Sequence, residues 1–116
     1  DASSVTLILC SVGYFESPNC MRELLRAVLT GKPMVAMLEP DAKHGALSLE
    51  EIRAQLDMAD APSNKGGVQY PSRYALWGLA DEVQSWGYRM PNADALFAAL
   101  FAREPIEWNR IGALAS

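Results

Sequence analysis

An α/β fold built on a parallel sheet is what this sequence predicts, and three observations predict it. Residues 5–9 read Val-Thr-Leu-Ile-Leu, a short and nearly continuous apolar run of the kind that makes a central strand covered on both faces. Residues 34–38, Met-Val-Ala-Met-Leu, make a second such run, bounded by Pro33 before it and by Glu39, Pro40 and Asp41 after it. Between the two lies a segment whose apolar residues recur with the helical period. Strand, helix and strand form a βαβ unit, whose crossover is right-handed and sets the two strands parallel. Both carboxyl ends then open on one edge of the sheet, where the loops share a crevice suited to ligands.

The helix is the best-specified element. Ser17 is a good N-cap, because its hydroxyl can accept from a free backbone N–H of the first turn, and Pro18 follows where a missing donor costs nothing. Met21, Leu24, Leu25 and Val28 recur at i, i+3, i+4 and i+7 and form one apolar stripe. Gly31 lies just past the last periodic residue, and Pro33 forbids continuation. With about 100° per residue, Asn19, Arg22, Glu23, Arg26 and Thr30 fall opposite the stripe, with Cys20 and Ala27 on one border. On spacing alone Glu23 is a solvated carboxylate beside Arg22 and Arg26, a pairing worth about 0.2–0.5 kcal/mol.

Downstream, residues 41–45 (Asp-Ala-Lys-His-Gly) predict a turn, and Ser48 with Glu51 spells an S-x-x-E capping box. The helix it opens has the stripe Ile52, Leu56 and Ala59. Residues 62–67 (Pro-Ser-Asn-Lys-Gly-Gly) read as a plain loop. Residues 74–86 carry Leu76, Leu79, Ala80 and Val83 at helical spacing and predict one helix ending at Gly87. Asn92 caps a last helix with Leu96, Phe97, Leu100 and Phe101 as its apolar face, ended by Pro105. Residues 106–108 alternate and predict a short edge strand, and residues 109–116 read as the start of a further element. Sheets of this kind usually hold five or more strands. Two apolar runs and one short strand fall below that, and an uncovered edge at residues 5–9 presents a row of backbone donors and acceptors that proteins avoid. The expectation is a single domain over residues 1–116 that lacks its N-terminal strands, or an edge covered by a partner chain.

Composition narrows the function. The chain has 116 residues and a formal net charge of −4, which fits at most one domain and opposes nucleic-acid binding, since phosphate neutralisation needs a clustered basic surface. No apolar run reaches the roughly 18 residues of a spanning helix, so no membrane insertion is expected, and residues 1–4 belong to no targeting class. The two cysteines, Cys10 at a strand end and Cys20 in a helix, predict no disulfide framework and a reducing, cytoplasmic setting. His44 is the single histidine and completes no zinc set, so no metal is expected. P-loop, G-x-S-x-G and G-x-G-x-x-G motifs do not occur. Trp77, Trp86 and Trp108 read as packing anchors.

Candidate liners of the shared crevice are Ser11, Tyr14, Phe15, Asn19, Glu39 and Asp41. The loop and helix that carry them resemble the middle of a Toll/interleukin-1 receptor (TIR) domain, whose plant-type members have S-x-N-Y-x-x-S-x-W-C-x-x-E-L at the turn from the third strand into the third helix. Ser11, Tyr14, Ser17, Cys20, Glu23 and Leu24 match, whereas Gly13 replaces the Asn and Asn19 replaces the Trp. Residues 31–38 resemble the family's next strand, and residues 103–110 are similar to the ends of TIR-like domains of algae and other single-celled eukaryotes. The resemblance implies the C-terminal two thirds of a flavodoxin-like sheet flanked by helices. It implies a signalling module acting through protein partners or self-association, with NAD as a possible substrate and no bound cofactor. Carried over by position, Glu23 is the catalytic carboxylate of a nicotinamide–ribose cleavage, with Ser11, Tyr14, Phe15, Asn19 and Cys20 as nucleotide-contacting residues. A carboxylate there would stabilise oxocarbenium character or hold the ribose hydroxyls. The alternative is a non-catalytic structural subunit of a larger assembly.

Overall fold

The computed structural model describes residues 5–107. Strand β1 (Thr6–Cys10) leads through a four-residue turn of helix, α1 (Val12–Phe15), into α2 (Pro18–Leu29) and then β2 (Met34–Leu38). A single 3-10 turn (Ala42–His44) precedes α3 (Leu49–Asp60), after which come β3 (Ser63–Lys65), β4 (Val68–Tyr70), α4 (Arg73–Leu76), α5 (Leu79–Ser85), α6 (Ala93–Leu100) and β5 (Ile106–Glu107). β1, β2 and β5 form a three-stranded parallel sheet in that order, flanked by helices, an α/β arrangement consistent with the flavodoxin-like one.

Capping chemistry sets the helix starts. Ser17 Oγ accepts from Cys20 N–H, Ser48 Oγ from Glu51 N–H and Asn92 Oδ1 from Ala95 N–H. At Ser48 the return bond is present too, its N–H donating to Glu51 Oε1 at 2.9 Å. On α2, Met21, Leu24 and Leu25 are fully buried while Val28 is half-buried, each full burial contributing about 1.5–3 kcal/mol. Ile52, Leu56 and Ala59 of α3 and Leu96 and Leu100 of α6 join the same core, with Phe97 and Phe101 half-buried against it.

Three expectations give way. Residues 74–86 are two helices, not one: Gly78 takes φ +73°, a left-handed conformation that stops α4 and turns α5, so that Leu79 and Val83 are buried while Leu76 is left 69% exposed. Residues 62–67 are not a plain loop, because Gly66 and Gly67, both at positive φ, close a hairpin that pairs β3 with β4 antiparallel. Its residues are all exposed, so the turn rather than a hydrophobic face specifies it. β1 is not a central strand covered on both faces: among the described residues it pairs with β2 alone, and β2 is the middle strand. Ile8 and Cys10 point into the core with Met34 and Ala36, whereas Val5 and Leu7 face away from it and are exposed.

β5 occupies the edge expected of it, with Met37 opposite Ile106 and Leu38 opposite Glu107. Trp108 and residues 109–116, like residues 1–4, lie outside the described residues. No helix of the described chain is long and apolar enough to cross a membrane.

Candidate functional site

The carboxyl edge of the sheet is where the loops after β1 and β2 meet. Ser11, buried at the end of β1, forms an isolated antiparallel bridge with Ala46, and Val12 N–H donates to the Gly45 carbonyl at 3.1 Å. The Gly45 backbone passes so close that a Cβ there would stand 3.2 Å from the Val12 nitrogen, and its φ of +85° suits glycine. Ser11 Oγ accepts from Tyr14 N–H at 3.3 Å and so caps α1. On the β2 side Glu39 is 3% exposed, its carboxylate accepting from Asp41 N–H at 3.4 Å, and Asp41 Oδ2 lies 2.8 Å from His44 Nδ1.

From this edge α2 runs back along the sheet and carries the charged residues to a second place. Glu23, exposed, lines a groove of about 360 Å³ with Thr6, Arg22, Arg26, Ala27 and Lys32. Arg22 Nε donates to Glu82 Oε2 at 2.7 Å and its Nη1 to Asn19 Oδ1 at 2.6 Å, so two of its donors are held by α5 and by the first turn of α2. The Arg26 guanidinium lies 4.7 Å from the centre of the Trp86 ring. Neither Glu23 nor Lys32 has an ion-pair partner among the described residues. Arg22 is thus matched by Glu82, and the groove holds Arg26 and Lys32 beside the Glu23 carboxylate in a chain that is acidic overall.

Tyr14 links the two places. Burial, and after it the fields of the Cys20 thiol, the Glu23 carboxylate and the Cys10 thiol, hold its phenol well above the usual range. Its hydroxyl is buried and finds no hydrogen-bond partner among the described residues. The ring meets Phe15 edge-on at 5.6 Å. Burial likewise pushes the Cys10 thiol up to about 12.

The sequence-predicted residues thus divide. Glu23, Cys20 and Tyr14 share a neighbourhood on the first two turns of α2 and the turn before it, and Asn19 braces Arg22 beside them. Phe15 is fully buried and packs in the core. Ser11 is buried and spends its hydroxyl on the α1 cap. Sequence reading named neither Thr6 nor Lys32 as site residues. No local pattern could have found them: the Thr6 N–H bond to the Pro33 carbonyl, at 2.9 Å, is what brings the start of β1 beside the α2–β2 turn. Arg73 was also missed. Its guanidinium donates to Gln55 Oε1 at 2.6 Å and to the Phe15 carbonyl at 3.4 Å, tying α3 and α4 to the end of α1.

The described residues contain no group of His, Cys, Asp and Glu that could hold a metal ion. No protein-family model, no curated protein and no solved structure matches the chain.

Proposed function

We propose that this chain is a TIR-like signalling module of the cytoplasm that acts through protein association, and that in the complete domain it binds or cleaves NAD at Glu23. What supports the reading is Glu23 itself. It stands at the Glu of the C-x-x-E-L motif, exposed, in a groove whose other charged members are Arg22, Arg26 and Lys32. Guanidinium and ammonium groups suit a diphosphate, while a carboxylate suits the positive charge that develops on the ribose. In hydrolysis the ribose–nicotinamide bond breaks with its electron pair leaving on nicotinamide, and water adds to the ribose carbon and gives up one proton to solvent. Glu23 stabilises the oxocarbenium-like stage or holds the ribose hydroxyls.

Nicotinamide release by the native protein tests this, with Glu23→Ala as the variant and melting temperature as the control. Glu23 is exposed, so its removal should leave stability within about 0.5 kcal/mol. Release should fall to background. Unchanged release would sink the catalytic reading.

A second reading, a non-catalytic structural subunit, is favoured by the apolar side of the sheet. Val5, Leu7 and Ile106 are exposed there, a surface suited to coverage by another chain.

A further inference from the structure

Two contacts join α5 to the charged face of α2, and they repeat at the spacing of one helical turn. Arg22 Nε reaches Glu82 Oε2 at 2.7 Å, and four residues further along both segments the Arg26 guanidinium lies over the Trp86 ring, 4.7 Å from its centre. The Trp86 ring owes its place to the fold. Trp86 is half-buried against the core and ends α5, its N–H donating to the Glu82 carbonyl at 3.2 Å and to the Val83 carbonyl at 3.1 Å. Arg26, by contrast, is exposed, and its long side chain comes to the ring rather than the ring to it.

Arg26 has another partner within reach on its own helix. Glu23 lies three residues before it, and a carboxylate and a guanidinium at that spacing are neighbours that ordinarily pair. Here they do not: the ion pairs among the described residues include none between Glu23 and Arg26. A guanidinium over an indole is held somewhat more strongly than an exposed helical ion pair, so the ring wins the competition. Arg22 does not compete, because adjacent residues on a helix do not face each other and its own carboxylate partner is Glu82. We infer that Trp86 is a positioning residue of the proposed Glu23 site: it draws Arg26 off the carboxylate and leaves Glu23 to meet the positive charge that develops on the ribose. This role rests on the NAD reading and adds to it the residue that keeps the carboxylate from pairing within its own helix.

The test is nicotinamide release at saturating NAD by the native protein, Trp86→Leu, Trp86→Phe and Glu82→Gln, with melting temperatures to check that each variant folds. With equilibrium constants of about 4 for the ring and about 2 for the helical ion pair, Glu23 is open about 70% of the time beside Trp86 and about 33% without it. Trp86→Leu should therefore lower kcat about twofold. Trp86→Phe keeps an aromatic face and should recover most of that loss. Salt at about 1 M screens an exposed ion pair and should erase the difference between Trp86→Leu and the native protein. Glu82→Gln loosens the same helix contact without releasing a cation beside Glu23, so its kcat should stay at the native value. Side-chain NMR of the native protein needs no variant: Arg26 δ protons shifted upfield by the ring support the role, and unshifted ones, or a Glu23–Arg26 contact, overturn it. It is also overturned by an unchanged kcat in Trp86→Leu, by an equal loss in Glu82→Gln, or by a loss that salt does not touch. A native protein that releases no nicotinamide overturns both this role and the NAD reading. Release that Glu23→Ala abolishes and Trp86→Leu leaves intact overturns the role of Trp86 alone.

Discussion

Replacing Gly45 with alanine probes the contact that joins the loops at the carboxyl edge. At φ +85° an L-residue has its Cβ too close to the following carbonyl, a strain of about 1–2 kcal/mol. The new Cβ would also stand 3.2 Å from the Val12 nitrogen, and backing away lengthens the bond from Val12 N–H to the Gly45 carbonyl, worth about 0.5–1.5 kcal/mol. The stiffer unfolded chain returns about 0.4–1 kcal/mol. The net expectation is a loss of about 2 kcal/mol, or about 8 °C for a domain of this size. Gly78→Ala is the control, since its φ of +73° carries the strain but nothing lies within 4 Å of the added atom. It should cost about 1 kcal/mol less than Gly45→Ala. Urea denaturation measures both, and amide exchange at Val12 reports the loop contact directly. If Gly45→Ala costs no more than Gly78→Ala and Val12 keeps its protection, the two loops are not joined as described.

Further outcomes follow from single residues. Leu56→Ala, in a fully buried site, should cost about 2–5 kcal/mol in the same denaturation assay. Tyr14→Phe removes a buried hydroxyl without a partner and should hold or raise stability by up to about 1 kcal/mol; lowered nicotinamide release in that stable variant would mark the phenol as a ligand contact. Cys10, fully buried, should resist a thiol reagent until the protein unfolds, while half-buried Cys20 reacts first, as peptide mapping of the labelled protein would show. Burial raises the folded Cys10 pKa from 9.0 to about 12, so above pH 9 the unfolded chain loses a proton that the folded one keeps, and stability falls as pH rises through that window. Cys10→Ala should flatten that part of the alkaline slope. The Ser48 capping bonds lower the Glu51 pKa, so their support is present above the ordinary glutamate range and lost as pH falls through the folded value; Glu51→Gln should remove that acid dependence.

The residues that act on their own neighbours were legible in the sequence. Ser17, Ser48 and Asn92 cap the helices they were expected to cap, because an N-cap bond spans three residues and needs nothing from the rest of the fold. The stripes of α2 and α3 were legible for the same reason, since helical period alone decides which side chains share a face. Residues 5–9 show where that logic ends. Their composition is that of a doubly covered strand, yet coverage is a property of neighbours, and it is the packing of the helices against Ile8 and Cys10 that leaves Val5 and Leu7 outside. The break at Gly78 had a local signal that the surrounding helical period outweighed.

The site divides in the same way. Position in a motif singles out Glu23, and helical geometry puts it on the face opposite Leu24 and Leu25, so the sequence by itself determined that this carboxylate meets solvent. Its companions were decided by tertiary structure. Parallel pairing of β1 with β2 carries Thr6 and Lys32 to Glu23, docking of α5 brings Glu82 to Arg22, and Trp86 comes under Arg26 from 60 positions away. Such contacts depend on how elements pack across the core, and no periodicity within one element records which residues of another will face it.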